Sequence, residues 1–204
     1  MLCVDNLVIN LENFRLTADF EIETGSHIAI VGPSGAGKST LLNALAGFIP
    51  LTGGKIEWNK SEITNLQPGK RPLSILFQDY NLFSHLNVIN NVAIGLKSNL
   101  KLNDFQLELV NSAIEEVGLS QFKFKTPSQL SGGQKTRVSL ARAIVRSKPI
   151  LLLDEAFSGL GPSLRYEMIQ LIKNHATEKN ITLLMVSHHI KDAIELKQKV
   201  LFVS

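Results

Sequence analysis

The feature that most constrains this chain is a glycine-rich nonapeptide at residues 32–40, Gly-Pro-Ser-Gly-Ala-Gly-Lys-Ser-Thr, which directly follows an apolar run at 28–31. Its spacing is G-x-x-x-x-G-K-[ST], the pattern of a phosphate-binding loop in which backbone N–H groups at a helix N-terminus surround a triphosphate. Leucines at positions 41, 42 and 45 continue the chain in a helical pattern. A strand, this loop and a helix therefore predict a phosphate site at the carboxyl end of a buried strand.

Each residue of this loop, called the P-loop below, is a candidate nucleotide contact. They are Gly32, Pro33, Ser34, Gly35, Ala36, Gly37, Lys38, Ser39 and Thr40. The three glycines permit backbone angles that a Cβ would obstruct. Lys38 is predicted to place a positive charge at the β- and γ-phosphates, and the Ser39 hydroxyl is predicted to ligate Mg²⁺. ATP and Mg²⁺ are the expected ligands, and the alternative is a glycine-rich turn that only links strand to helix.

Composition limits the other classes of function. The 204 residues suit one α/β domain, and a formal charge of +3 does not demand a nucleic-acid partner. A single cysteine, Cys3, excludes an internal disulfide. No run approaches the ~18 apolar residues that a membrane span needs, so a membrane role requires a partner. The chain ends directly after a strand-like run, and we expect a few terminal residues beyond Ser204.

Two hydrophobic periods alternate along the chain. Residues 15–22 alternate apolar and polar, which predicts an antiparallel strand with one wet face. Apolar runs at 27–31, 73–77, 150–153 and 181–186 predict strands buried on both faces, and the helical patterns between them indicate a parallel sheet. The fold class is therefore α/β, mainly parallel, with an N-terminal antiparallel portion.

Helical signals replace strand signals between Gln78 and Phe124. Asn103 and Gln106 form a capping-box pattern for a helix over about 104–117, and Gly118 is suited to end it. We expect one domain over 1–204, with a helical lobe inserted at about 79–130.

Two adjacent acids, Asp154 and Glu155, follow the apolar run at 150–153. Charge beside a core costs several kcal/mol unless it is compensated, and Mg²⁺ would compensate it. We assign Asp154 to the metal and Glu155 to the attacking water as general base. The alternative is a pair of solvated acids in a loop.

A Leu-Ser-Gly-Gly-Gln pentapeptide provides a second candidate anion site. Ser131 and Gln134 form a capping box for a helix that is predicted to run to about Ser147. The cap alone does not explain Gly132 and Gly133, each of which weakens a helix by up to about 1 kcal/mol. Bare amides at this N-terminus would bind an anion.

With these motifs in this order, the chain resembles the nucleotide-binding subunits of ABC transporters, whose signature segment is the pentapeptide at 130–134. The resemblance implies a P-loop NTPase fold with the antiparallel portion and helical lobe of that family. It also implies that the signature segment of one subunit closes on ATP held by the P-loop of a second copy. The expected assembly is a head-to-tail dimer with two shared sites.

The family's remaining positions transfer individually. Gln78 matches the glutamine that senses Mg²⁺ and the attacking water, and His188 matches the switch histidine at the γ-phosphate. Without the resemblance, they would be a strand-end amide and a surface histidine. Gly161 stands where the family's D-loop usually ends in aspartate. The aromatic that stacks on adenine would fall near Leu11, and Phe14 is the nearest aromatic.

Segments 71–78, 81–86 and 100–103 resemble the thiamine importer ATPases most. The implied function is ATP hydrolysis for a bacterial importer, peripheral on the cytoplasmic face of the inner membrane. Integral membrane permease subunits would be direct partners, with a coupling helix received near residues 79–86, and a periplasmic solute-binding protein an indirect one; no nucleic acid is expected. The alternatives are import of another small solute, a soluble ATPase acting on nucleic acid or ribosomes, and a non-hydrolysing binding module.

Overall fold

The computed structural model describes residues 1–12, 14–188 and 200–202. The strands are β1 (Leu2–Leu11), β2 (Phe14–Ile22), β3 (His27–Val31), β4 (Gly53–Trp58), β5 (Ser61–Glu62), β6 (Leu73–Leu76), β7 (Ile150–Asp154), β8 (Thr182–Val186) and β9 (Val200–Phe202). The helices are α1 (Lys38–Ala46), α2 (Val88–Ala93), α3 (Asp104–Glu116), α4 (Gly132–Ile144) and α5 (Pro162–Glu178). Across the described residues, none of these helices has both the length and the apolarity to cross a membrane. Ser204 lies outside the described residues.

The strands form two sheets. One is five-stranded and parallel, in the order β6-β7-β8-β3-β9, and the other is four-stranded and antiparallel, in the order β2-β1-β4-β5. The predicted α/β class with an antiparallel N-terminal portion is confirmed.

The parallel sheet is covered on both faces. In β3, Ala29 and Val31 belong to a core cluster shared with α2 to α5, whereas Ile28 and Ile30 belong to a second cluster shared with α1 and the antiparallel sheet. Strands buried on both faces have no wet side, which is why this run is continuously apolar.

The predicted element ends differ from the observed ones by a few residues, as in α4, β6 and β7. α4 ends at Ile144 rather than near Ser147, whose φ is 47°. Pro149 disfavours the helical conformation of the residue before it, so the helix ends upstream. β6 ends at Leu76, one residue early, and β7 includes Asp154 as its last residue.

Two predicted helix termini are confirmed. Asn103 and Gln106 form both hydrogen bonds of a capping box at the start of α3. Gly118 has a φ of 69°, and its N–H donates to the carbonyl of Glu115. The left-handed conformation at Gly118 therefore ends the helix as expected.

Arg71 fixes the end of α1 from a distance in sequence. Its side chain is 3 % exposed, and its guanidinium donates to the carbonyls of Ala44 (2.8 Å) and Leu45 (2.6 Å) in the last turn of α1. It also donates to the carbonyls of Leu66 and Thr64. Burial lowers the pKa of Arg71 from its ordinary value. This one side chain therefore joins the P-loop helix to the loop that leads into β6.

Arg71→Ala is expected to lower the free energy of unfolding by about 3 kcal/mol or more. Hydrogen bonds to a charged group contribute about 1.5–3 kcal/mol each, and the buried carbonyl of Leu45 would lose the donor that Arg71 supplies. Denaturant unfolding measures the change, with Arg15→Ala on the exposed face of β2 as the matched control. Arg71→Lys lacks the planar fork and should restore only part of the loss. Equal stability of Arg71→Ala and Arg15→Ala would contradict this role.

Candidate nucleotide-binding site

Neighbouring parallel strands bring the predicted site residues to one edge of the sheet. The P-loop follows β3, Gln78 follows β6, Asp154 and Glu155 lie at the end of β7, and His188 follows β8. Carboxyl ends of parallel strands share an edge, and open α/β sheets bind ligands there. Segments far apart in sequence therefore meet at one cleft.

Two of the three P-loop glycines have backbone angles that a Cβ would disfavour. Gly35 and Gly37 have φ values of 83° and 89°, in the left-handed region. Gly37 is the N-cap of α1 and provides no side-chain cap, so the first amides of the helix are left for a ligand. Lys38 is 5 % exposed, and its Nζ donates to the carbonyls of Gly32 (2.9 Å) and Pro33 (2.7 Å). The lysine thus lies within the loop that it is predicted to serve.

Ser39 and Asp154 form the candidate Mg²⁺ site. The Ser39 hydroxyl donates to Asp154 Oδ1 at 2.7 Å, and Asp154 is 8 % exposed. Burial raises the pKa of Asp154 from its ordinary value and the charge of Glu155 raises it further, while the Ser39 hydrogen bond and Lys38 oppose both effects.

These two oxygens fit Mg²⁺, which prefers hard oxygen ligands and favours the ionised carboxylate. Within the described part of the chain, no group of three or more His, Cys, Asp or Glu residues forms a metal cluster. A magnesium ion here would therefore take phosphate and water oxygens as its other ligands, as Mg²⁺ usually does.

Glu155 and His188 lie next to each other. Glu155 Oε2 is 3.3 Å from His188 Nδ1, and the Glu155 N–H donates to the carbonyl of Val186. Glu155 has a φ of 47°, which is uncommon for a residue with a Cβ and is frequent at functional sites. Gln78 is exposed and, in the part of the chain described, has no hydrogen bond to Ser39 or Asp154. The structure therefore brings Glu155 to His188, whereas Gln78 forms no hydrogen bond with the described candidate metal ligands.

The signature segment has the predicted cap. Ser131 Oγ accepts from the Gln134 N–H at 3.3 Å, and Gln134 Oε1 accepts from the Ser131 N–H at 2.8 Å. Ser131 Oγ and Gln134 Oε1 accept the capping bonds, so the Ser131 hydroxyl, the Gln134 side-chain NH2 and the amides of Gly132 and Gly133 remain as donors for an anion.

The signature segment does not line the cleft around the P-loop of its own chain. That cleft, of about 350 Å³, is lined by Leu11, Phe14, Glu155 and residues of the P-loop. The Phe14 ring lies against Gly37, because a methyl group added there would be 2.5 Å from Phe14 Cζ. An aromatic ring therefore borders the cleft, and adenine stacking by Phe14 stays a prediction.

Gly161 is the N-cap of α5, before Pro162 at the first helical position, and it has no side-chain capping bond. Arg165, one turn later, donates to the carbonyls of Phe157 (3.2 Å) and Ser158 (2.9 Å). Sequence reasoning did not identify Arg165. Its guanidinium holds the loop that in the family usually ends in aspartate.

A second cleft, called the docking groove below, lies beside the chain that follows β6. It has a volume of about 440 Å³. Its lining includes Phe48, Leu73, Ile75, Phe77, Phe83 and Ile94, with Tyr80, Arg142 and Arg146 among the polar residues. Asn91, which is fully buried, holds one wall by accepting from the Phe83 N–H and donating to the carbonyls of Phe83, Leu86 and Asn87. A largely apolar groove therefore lies beside residues 79–83, within the segment near which the family resemblance implies a coupling helix.

Comparisons with known proteins find relatives over most of the chain. Residues 16–158 match the family model described as ABC transporter. The thiamine import ATP-binding protein ThiQ of Histophilus somni is 48 % identical over 93 % of this chain and 89 % of the relative. The protein of that name from Yersinia pestis is 45 % identical over 100 % and 86 %, and that from Aliivibrio fischeri is 50 % identical over 91 % and 79 %.

A solved structure has the same architecture. The ATP-binding cassette MJ0796, as a dimer in a post-hydrolysis state bound to ADP and Pi, aligns with a TM-score of 0.85 and 25 % identity. The alignment covers 100 % of this chain and 94 % of that one.

Proposed function

Because this chain belongs to the ABC transporter family, we propose that it is the ATP-hydrolysing subunit of a bacterial thiamine importer. The observation that carries the proposal is the meeting, at one sheet edge, of the P-loop, the Ser39–Asp154 pair and the Glu155–His188 pair. Thiamine as the solute rests on the three relatives of that description, at 45 to 50 % identity.

ATP binding uses the first turn of α1. The free amides after Gly37 receive the phosphates, and Lys38 Nζ exchanges the carbonyls of Gly32 and Pro33 for phosphate oxygens. Ser39 and Asp154 would hold Mg²⁺, which when bound neutralises charge on the β- and γ-phosphates. Gln78, which follows β6, would supply an oxygen ligand to Mg²⁺ and sense the attacking water. Phe14 stacks on the base at the cleft mouth.

Hydrolysis needs a base for the attacking water. Glu155 accepts the proton, and its position is fixed by the backbone bond to Val186 and by the nearby His188 ring. His188 contacts the γ-phosphate from the end of β8. The P-loop, Glu155 and His188 thus surround the bond that breaks.

Each site is completed by a second copy. Ser131 and Gln134 cap their own helix, and their remaining side-chain donors, together with the amides of Gly132 and Gly133, bind the γ-phosphate of the ATP held by the partner copy. The dimeric state of the similar cassette bound to ADP and Pi supports this arrangement. Two head-to-tail subunits therefore share two ATP sites.

The docking groove receives the membrane partner. A coupling helix of an integral permease subunit packs on its apolar lining, next to the segment that follows Gln78. Residues 79–130 act as a helical subdomain that moves with this contact. The subunit then lies on the cytoplasmic face of the inner membrane, and a periplasmic solute-binding protein reaches it only through the permease.

The experiment that tests this function is ATP hydrolysis against protein concentration, with and without the thiamine permease in lipid. Specific activity should rise with concentration, because two copies share each site, and rise again with the permease. Lys38→Ala should abolish the signal, since each lost charge-assisted phosphate bond costs about 1.5–3 kcal/mol, roughly a 10- to 150-fold loss of affinity. Activity that ignores both concentration and the permease would contradict the transporter mechanism. Stimulation by a permease for another solute, and not by the thiamine permease, would exclude thiamine as the solute but leave the transporter mechanism in place.

A further inference from the structure

Tyr80 lies along α4, the helix that begins at the signature segment. Its carbonyl accepts from Ser139 Oγ at 2.6 Å and from Arg142 Nη2 at 2.9 Å. Its hydroxyl lies at the N-terminus of α4, because a methyl group added to Gly132 would be 3.3 Å from Tyr80 Oη. Seven residues separate Gly132 from Ser139, which is about 10 Å along a helix. One tyrosine therefore spans the first two turns of α4.

Hydrogen bonds from α4 hold the backbone of Tyr80 and Asn81 in place. Ser139 is 2 % exposed, and Arg142 also donates to the carbonyl of Asn81 at 2.8 Å. Asn81 has a φ of 47°, a conformation that needs such support. Burial lowers the pKa of Arg142, and the charge of Arg146 lowers it further. The partly buried guanidinium donates to two carbonyls beside the docking groove.

The signature segment also contacts α5. A methyl group added to Gly133 would collide with Leu164 of α5, three residues after the N-cap Gly161. The first turn of α4 thus lies between Tyr80 on one side and Leu164 on the other. The two glycines have a packing role besides their free amides, because a side chain at either position would displace one neighbour.

We propose that Tyr80 is a positioning residue that couples the orientation of the signature segment to the docking groove. A movement of the segment after Gln78 reaches Gly132 through the tyrosine ring and α4 through the Ser139 and Arg142 bonds. This inference has two halves. The groove half, that Tyr80 transmits movement at the docking groove, rests on the proposed function. The signature half, that Tyr80 orients the signature segment, concerns only the closure of two copies. Tyr80 does not line the cleft around the P-loop.

The signature half is tested by ATP-dependent dimerisation in a Glu155→Gln background. Tyr80→Ala should raise the ATP concentration needed for dimer formation about fivefold or more, the lower range of coupling between sites. ATP affinity of the monomer and the thermal midpoint should stay close to those of the parent. Tyr80→Phe retains the ring and the backbone bonds but lacks the hydroxyl near Gly132, so it should recover only part of the effect. The chain's other tyrosine, Tyr166, is 53 % exposed, and Tyr166→Ala is the matched control.

The groove half is tested with the complete complex in lipid. Tyr80→Ala should reduce permease-stimulated hydrolysis by about fivefold or more, mainly in kcat, and Tyr80→Phe, which lacks the hydroxyl near Gly132, should restore only part of it. If Tyr80→Ala forms the dimer at the same ATP concentration as Tyr166→Ala, the inference is overturned. A loss of monomer ATP affinity that matches the loss of dimer also overturns it, because that indicates general misfolding. A parent complex without permease stimulation contradicts the proposed function instead, and the dimerisation result then still decides the signature half.

Discussion

Glu155→Gln should bind ATP, accumulate as a dimer and hydrolyse ATP roughly a hundredfold more slowly or worse, the range expected for loss of a general base. Glutamine keeps the shape of the side chain, so the φ of 47° and the backbone bond to Val186 should persist. It cannot accept the proton of the attacking water. Steady-state phosphate release and size-exclusion chromatography with ATP measure both outcomes.

A matched control for this substitution is Glu62→Gln, which changes an exposed acid in the two-residue strand β5. It should leave hydrolysis unchanged. A Glu155→Gln protein that hydrolyses at the parent rate would remove Glu155 from the role of base.

Asp154→Asn should raise the thermal midpoint of the ligand-free protein while it reduces Mg²⁺-dependent hydrolysis roughly a hundredfold or more. The amide can keep the bond to Ser39 without the cost of a buried charge. The loss of hydrolysis follows because Mg²⁺ supplies several kcal/mol of transition-state stabilisation. Asp104→Asn, at the exposed first turn of α3, is the control and should slightly lower the midpoint. Full activity, or a lower midpoint, in Asp154→Asn would contradict the assignment.

The rise in thermal midpoint caused by Asp154→Asn should depend on pH. Burial raises the folded-state pKa of Asp154 above its ordinary value of 3.8. Between these values the folded state binds more protons than the unfolded one, so stability falls as pH rises through the window. The difference between Asp154→Asn and the parent should therefore be full above the raised pKa and vanish below the ordinary one. Thermal unfolding from acid to neutral pH, without Mg²⁺, measures it.

The sequence was most informative where structure depends on neighbouring residues. The spacing of glycines in the P-loop predicted the left-handed angles at Gly35 and Gly37. Both capping boxes, at Asn103 and Ser131, follow from residues three positions apart. The runs of apolar residues predicted strands with two covered faces, because burial on both sides leaves no polar period.

Contacts between distant segments could not be predicted in this way. Tyr80 and Ser139 are 59 positions apart, and no local period relates them. The four carbonyls that Arg71 binds carry no side-chain signature, so a buried arginine at that position reads as an ordinary charged residue. The left-handed φ of Glu155 is likewise set by the ends of β7 and β8 and not by its neighbours.

Arg71 gives the P-loop helix a positive charge at the end opposite to its ligand. α1 has nine residues, about 14 Å, and its last carbonyls carry the negative end of the helix macrodipole. A triphosphate at the N-terminus and a guanidinium at the C-terminus therefore each lie next to the dipole end of opposite charge, and both interactions are favourable. Nucleotide binding and the arginine stabilise the same orientation of one short helix, so each should be worth more when the other is present.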